Sequence, residues 1–241
     1  MSETPSSPET NLLLASLPAQ KQRRLLRLCE VVALRAAEDL QDVGQAIEFV
    51  HFPKKGCVIS LIKVLDDGGT FDAGWVGYEG FAGLAALSEG ETPFRATVRV
   101  GGEAFRLRAN DLKTELRDNR KWFEILLRYL HFFLVHVSQR SGCNRFHPLQ
   151  PHFCSLLLNM HDRITGDDLE ITHEVFAKMM GVRRVGITLA ARKLQDEGVI
   201  RYSWGKLTIL DRQRLETHAC VCHKQMTQTY QRLLDPAWPY R

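Results

Sequence analysis

The sequence predicts an α+β fold in which helical segments flank a block of strands. Three observations predict it. Apolar residues recur at helical spacing up to about Val43 and again from Asp111. Between about Gln45 and Leu107, β-branched and aromatic residues gather in short runs. Turn signals rich in glycine, proline and acidic residues separate those runs. A chain of 241 residues, 44% hydrophobic and 25% charged, is long enough and apolar enough to bury a sizeable core.

The first segment, residues 1–11, begins MSETPSSPET. It is polar, carries two prolines and lacks the basic start and apolar run of a leader, so it reads as a disordered tail. From Asn11 to about Val43 the pattern reads as helix: Pro18 marks a start, and Leu25, Leu26 and Leu28 follow the basic KQRR. IEFVHF, CVISLIKVL, TFDAGWVG and RATVRV read as strands, with PKKG, DDGG and SEGETP as their turns. Many short strands with glycine turns predict a small barrel or β-roll, which places a folded domain over residues 12–118.

A long helix is predicted from about Asn119 to Ser141, ending near Gly142, within a segment taken as 119–144. Leu126, Leu130, Phe133, Leu134 and Val137 form its apolar stripe. A stripe this long needs a partner surface, either the core of one chain or the same helix of a second chain, and a dimer interface is the sharper expectation. WFEILLRYLHFFLVHV is the most apolar run. Glu124, Arg128, His131 and His136 interrupt it, so no membrane span is expected. A further helix is expected over about Pro151–Arg163, then a polar turn at TGDDLE.

Residues 145–223 hold the most specific pattern. Thr172 can cap a helix that turns Phe176, Ala177 and Met180 inward. Gly181 permits a left-handed residue and a sharp turn, and Val182 is expected to plug it. A second helix starts near Arg183 or Arg184 and turns Ile187, Ala190, Ala191 and Leu194 inward. These offsets are those of a helix-turn-helix. VIRYS and LTIL around Gly205 then read as a wing. Lys178–Lys206 carries seven basic residues against Asp196 and Glu197, an excess larger than the +4 of the whole chain. A solvated charged helix pair is the bland reading; double-stranded DNA binding is the sharper one.

On that reading, Arg184 at the start of the recognition helix offers a bidentate fork to guanine. Arg183 and Arg192 suit phosphates, Val185 and Leu189 suit thymine methyls, and Thr188 shares their arc. Gly186 costs roughly 1 kcal/mol of helix propensity, which a close approach of backbone to DNA would explain. Thr172 and Lys206 complete the candidate DNA-facing set.

FPKKGCVISLIKVLDDGG, GYEGFAGL, CNRFHPL and GVRRVGITLAARKLQDEGVIRYSWGKLTILD, taken together, resemble the cyclic-AMP receptor protein/Fnr family of bacterial transcription regulators. The last two are similar to the branch with tandem arginines. The resemblance runs from about Leu12 to about Cys222. It implies a cyclic-nucleotide-binding-like β-roll, a long central dimerisation helix and a C-terminal winged helix-turn-helix. It also implies a homodimer on an inverted repeat and contact with RNA polymerase; the cytoplasmic location expected here rests instead on the scattered cysteines and the lack of a secretory segment. Residues 224–241 are left as a C-terminal tail.

The effector cassette departs from the family. The resemblance sets Phe81 where nucleotide-binding members have a glutamate for the ribose, and Phe94 and Arg95 where they have an Arg-Ser pair. Glu79 is close but on the wrong side of the turn. The effector is therefore expected to be something other than cyclic AMP, and unknown. A regulator responsive to cyclic nucleotide or another small anion is the alternative. Val185 and Leu189 also replace two base-reading residues, so the operator of the best-known member does not carry over.

No cofactor or metal is expected. The six cysteines lack CxxC spacing and read as reduced thiols; Cys29 alone lies where iron–sulfur members carry a cysteine cluster. His51, His131 and His136 have no haem-ligand spacing. HACVCH gathers Cys220, Cys222, His218 and His223 without the usual zinc spacing. GxSxG, P-loop, HExxH and Rossmann fingerprints are absent, so catalysis is not expected.

Overall fold

The computed structural model describes residues 10–88 and 90–234. The chain divides into two compact units. One comprises residues 1–61 and 75–127; the other comprises residues 62–74 and 128–241. Most of the expected tail, residues 1–9, lies outside the described residues. Asn11, its last residue, is ordered and fully buried. Its Oδ1 accepts from the Leu13 N–H, capping the short helix α1 (Leu12–Ala15). Its Nδ2 donates to the carbonyls of Pro53 and Gly80, so a buried amide is satisfied at both ends.

Helix α2 (Ala19–Leu28) starts directly after Pro18 and buries Leu25. The helical expectation fails beyond it. Cys29 is extended, and strands β1 (Glu30–Leu34) and β2 (Asp39–Gln41) follow. EVVAL is short and only its last residue is buried, so its period carried little signal. Pairing decides its state: β1 lies antiparallel to β7 (Gly102–Arg108), with Glu30 opposite Arg106. Arg106 also donates to the Glu30 carboxylate at 2.5 Å.

The roll is made of two sheets. In one, β7 sits between β1 and β3 (Phe49–Pro53). The other has the order β2, β6 (Phe94–Val100), β4 (Val58–Val64), β5 (Thr70–Val76). Their inner faces bury Val50, Phe52, Ile59, Leu61, Ala96, Val98 and Leu107. Burying each large aliphatic side chain stabilises by about 1.5–3 kcal/mol, and that burial holds the roll together. Helix α3 (Ala109–Asp118) packs Leu112 inward and pairs its buried Glu115 with Arg24 at 2.9 Å.

Helix α4 (Arg120–Phe146) runs through Gly142, where an end was expected. A lone helical glycine costs only about 1 kcal/mol, too little to end the helix. Helix α5 (Leu149–His161) is buried on almost every side, with Phe153, Leu156, Leu157, Leu158 and Met160 inward. It serves as the core post of the second unit. Residues of the expected turn TGDDLE contribute β8 (Asp168–Leu169), which pairs with β10 (Lys206–Ile209). Helices α6 (His173–Met180) and α7 (Arg184–Asp196) follow, then β9 (Ile200–Ser203), α8 (Arg212–His218) and α9 (Cys222–Leu234). Residues 224–234, read from sequence as tail, belong to α9. That helix buries Cys222 and Met226, and Tyr230 meets Phe132 edge-on. No described helix is long and apolar enough to cross a membrane.

The stripe of α4 divides differently from the expectation. Leu126 is buried with Trp122, Ile125, Tyr129 and Phe132, so it belongs to the chain's own core. Phe133 and Val137 lie over Gly74 of β5, where an added Cβ would stand 2.8 Å from the Phe133 ring. Leu134 remains 65% exposed, and Phe123 and Leu127 are exposed as well. Phe123, Leu127, Leu130, Leu134 and Val137 alternate by four and three residues, the spacing of a heptad seam.

Candidate nucleic-acid interface

The helix-turn-helix is built from local chemistry. Thr172 is extended, and its Oγ1 accepts from the Val175 N–H, which starts α6. Gly181 ends α6 at φ 65°, in the left-handed region. The Val182 N–H then donates to the Ala177 carbonyl at 3.0 Å and closes the turn. This backbone bond, not the Val182 side chain, plugs the turn: that side chain stands 37% exposed. Arg183 is the extended residue before α7, and Arg184 opens the helix. Phe176, Ala177, Met180, Ile187, Ala190, Ala191 and Leu194 are all buried, as expected. Phe153 of α5 meets Phe176 edge-on at 5.3 Å and anchors the pair from behind.

The outward arc of α7 presents Arg184, Val185, Thr188, Leu189 and Arg192, all exposed. Arg183 is exposed beside them. The first backbone N–H groups of α7 add partial positive charge at the helix start, where Arg184 stands. Two of these side chains have partners already. Thr188 Oγ1 donates to the Arg184 carbonyl and lies 3.1 Å from His173 Nδ1. Arg192 stands 4.0 Å from Asp196, an exposed pair of little energetic weight. Lys206 is held 2.8 Å from Asp168, which cancels part of the charge counted in the sequence. The same contact, with Thr208, lowers the Asp168 pKa.

Gly186 has a different role from the one expected. A Cβ there would lie 2.7 Å from Leu149 Cδ2, so the missing side chain lets α7 approach α5. Sequence reading missed this because Leu149 is remote in the chain.

The wing is a tight hairpin. Ser203 pairs with Lys206, leaving the two-residue loop Trp204–Gly205, with φ values of 52° and 81°. Two consecutive positive φ values mark a type I′ turn, which matches strand twist. Gly205 suits it; Trp204 does not, since a left-handed residue with a Cβ costs roughly 1–2 kcal/mol. The Trp204 ring is fully in solvent, at 102% relative exposure. An exposed aromatic on a strained turn was not singled out from sequence, although WG between two strands was a usable signal.

His173 joins the three parts of the motif. Its ring stacks on Tyr202 of β9 at 3.9 Å, and its N–H donates to the Tyr202 hydroxyl. Burial, and then Arg184, push its pKa down. Arg140 on α4 is buried and donates to the carbonyls of Met179 on α6 and Asp72 on β5. Burial lowers it to about 10, so it stays a cation at neutral pH.

The candidate effector residues do not form a pocket together. Phe81 is wholly buried and stacks on Phe52 at 5.4 Å. Arg95 donates to Asp42 at 2.9 Å and lies 3.9 Å from Asp39. Phe94 is half-buried, its N–H bonded to Thr92. Glu79 is buried and accepts from the Gly77 N–H. A separate cleft of about 760 Å³ opens in the roll beside Glu38, Gln45, Phe49, His51 and Arg106. His218 and His223 are engaged with Glu197 and Asp162, each at 2.9 Å. The HACVCH grouping is therefore not a local ligand set, but Cys220 and Cys222 do meet Cys143 and His147. That gathering departs from the expectation of no metal site.

The family model of the Crp-like helix-turn-helix domain matches residues 152–218, the span that contains this motif and wing. Among solved structures, FixK2 from Bradyrhizobium japonicum is 14% identical with a TM-score of 0.68, covering 80% of this chain and 98% of its own. A CRP/FNR family transcriptional regulator from Thermus thermophilus is 21% identical with a TM-score of 0.60, covering 79% and 98%. The c-di-GMP-responsive global regulator CLP of Xanthomonas campestris is 15% identical with a TM-score of 0.60, covering 80% and 99%. No curated protein matches the chain in sequence. Residues 152–218 thus form a Crp-like helix-turn-helix domain, and the chain as a whole shares the fold of these regulators.

Proposed function

We propose that the protein binds an inverted-repeat operator as a homodimer and adjusts transcription from it. The observation that carries this is the outward arc of α7, where Arg184 stands exposed at the helix start with Val185, Leu189 and Arg192 beside it. In a helix-turn-helix that end enters the major groove, where an arginine fork reads guanine O6 and N7. Arg183, just outside the helix, meets a phosphate, and Trp204 reaches the flanking backbone from the wing. The heptad seam of α4 pairs with its copy and sets the two recognition helices one helical turn of DNA apart, roughly 34 Å. RNA polymerase is the expected downstream contact, as the sequence resemblance implies.

The effector is something other than cyclic AMP. A cyclic phosphate needs a free cation and a ribose needs a free carboxylate. Arg95 is neutralised by Asp42, and Phe81 is packed on Phe52. The cleft beside His51 and Arg106 is the better candidate for a small ligand. A ligand acts there only if it binds one state of the dimer better than the other.

Selection of duplexes from a random pool tests both halves, run with and without cyclic AMP and cyclic GMP. The expected result is a two-fold symmetric site, enriched without nucleotide and lost in Arg184→Ala. Enrichment only with nucleotide would contradict the reading of the roll.

A further inference from the structure

Four ligand-type side chains from two remote stretches converge at the end of α4. Cys143 and His147 are four residues apart, so they share one helical face. Cys220 lies in the break between α8 and α9, and Cys222 opens α9. Cys143 and Cys220 are 77 residues apart in sequence. Yet the three sulfurs and His147 Nδ1 all lie within 4.8 Å of one another. Cys143 Sγ is 3.4 Å from both Cys220 Sγ and His147 Nδ1, and Cys222 Sγ is 3.3 Å from His147 Nδ1.

Those spacings fit a single ion. Zinc–sulfur bonds of about 2.3 Å and zinc–nitrogen bonds of about 2.0–2.1 Å give a tetrahedron with edges of roughly 3.4–3.8 Å. A multi-iron cluster would set its thiolates on separate irons, further apart than these. Thiolates favour soft ions, and a tetrahedral sulfur-rich set points to zinc. The surroundings hold the ligands in place. Gln139 Nε2 donates to Cys222 Sγ at 2.9 Å, and Ser155 Oγ lies 3.0 Å from Cys220 Sγ. The Cys220 N–H donates to the Pro151 carbonyl at 3.1 Å, fixing the turn that carries two of the ligands. Three thiolates, a neutral imidazole and one Zn²⁺ sum to a single negative charge. The buried Arg140 cation acts electrostatically on Cys143 and offsets it.

We propose that Cys143, His147, Cys220 and Cys222 bind one Zn²⁺ in a closed tetrahedral site that fastens the end of α4 to the α8–α9 turn. Each of the three thiols gives up its proton to solvent as its sulfur bonds the metal, and His147 binds through Nδ1 in its neutral form. Four protein ligands leave no position for water, so the site is structural, not catalytic. Its binding free energy becomes folding free energy of the stretch around the helix-turn-helix. The sequence hid the site because its pairs are C-x₃-H and C-x-C, far apart, with neither in the usual finger spacing.

The test measures metal directly in the full chain, purified under reducing conditions from zinc-supplemented cells. The expected content is one zinc per chain. Exchange into Co²⁺ should give the thiolate-to-cobalt charge-transfer band and the visible bands of tetrahedral cobalt. Cys222→Ser and His147→Ala should lose the metal, whereas Cys29→Ser should keep it. Gln139→Ala keeps all four ligands and should fold; it should weaken metal affinity about tenfold to a hundredfold. If those ligand variants fail to fold, the cobalt spectrum of the unaltered chain decides alone. Absence of both zinc and the charge-transfer band would overturn the proposal. So would a Cys143–Cys220 disulfide, found by peptide mapping, that persists when zinc is supplied, because those sulfurs would then serve a redox pair.

Discussion

Arg183 and Arg184 are adjacent but have different work on this account. Arg184→Ala should weaken binding to the selected site by about 1–3 kcal/mol and relax preference at one base pair of each half-site. Arg183→Ala should weaken binding to all duplexes alike and flatten the salt dependence by about one unit of slope. Fluorescence anisotropy over a salt series separates the two. Trp204 offers a sharper contrast because stability and binding should move oppositely. Trp204→Gly relieves the left-handed strain at the wing tip and should raise stability by about 1 kcal/mol. It should also remove the exposed ring and weaken DNA binding, which urea melts and anisotropy read independently. Gly186→Ala should be close to neutral in stability. The alanine gains about 1 kcal/mol of helix propensity, while a flexible Leu149 methyl has to move aside. A large loss of stability would mean that Leu149 cannot move.

Helix α4 presents two apolar faces with separate fates. Leu126→Ala removes a buried side chain and should cost about 2–5 kcal/mol of stability. Leu134→Glu changes a side chain that is 65% exposed and should leave the fold intact while shifting the chain from dimer to monomer. Sedimentation equilibrium checks the second; a Leu134→Glu chain that stays dimeric would place the interface elsewhere. The sequence made the helix legible but mixed its faces. Leu126 and Leu134 both obey a three-four spacing, and only the tertiary neighbours separate core from seam. The strands β1 and β2 were not legible for a related reason. EVVAL and DLQ are too short to carry a period, and pairing with β7 and β6 fixes them. The helix-turn-helix was legible almost residue by residue, because capping by Thr172, the Gly181 turn and the inward spacing are all local.

Taken as a whole, the molecule carries buried histidines that couple its folding to pH. Burial, and then Arg106, push His51 down to about 4; burial, and then Arg140, push His152 down to about 4. His136 moves the same way, chiefly by burial. Their unfolded values are near 6.5, so the unfolded chain binds more protons between those limits. Stability is therefore full above about pH 6.5 and falls as pH drops toward 4, by about 1.4 kcal/mol per pH unit for each group. Urea midpoints across that window should decline, and His51→Gln and His152→Gln should flatten the decline. What sequence could not supply at this level was convergence. The meeting of Cys143 with Cys220, of Arg140 with Met179 and Asp72, and of Phe81 with Phe52 each joins remote segments with no local signature.

The central claim is that α7 reads DNA through Arg184. The most direct measurement is the affinity of the purified chain for the duplex it selects, beside a scrambled duplex, for the unaltered protein and Arg184→Ala. The account predicts a large preference for the selected duplex in the unaltered protein. Arg184→Ala should lose roughly tenfold to a hundredfold on that duplex and little on the scrambled one. Equal affinity of the unaltered protein for both duplexes, or an Arg184→Ala variant that discriminates as well as the parent, would contradict it.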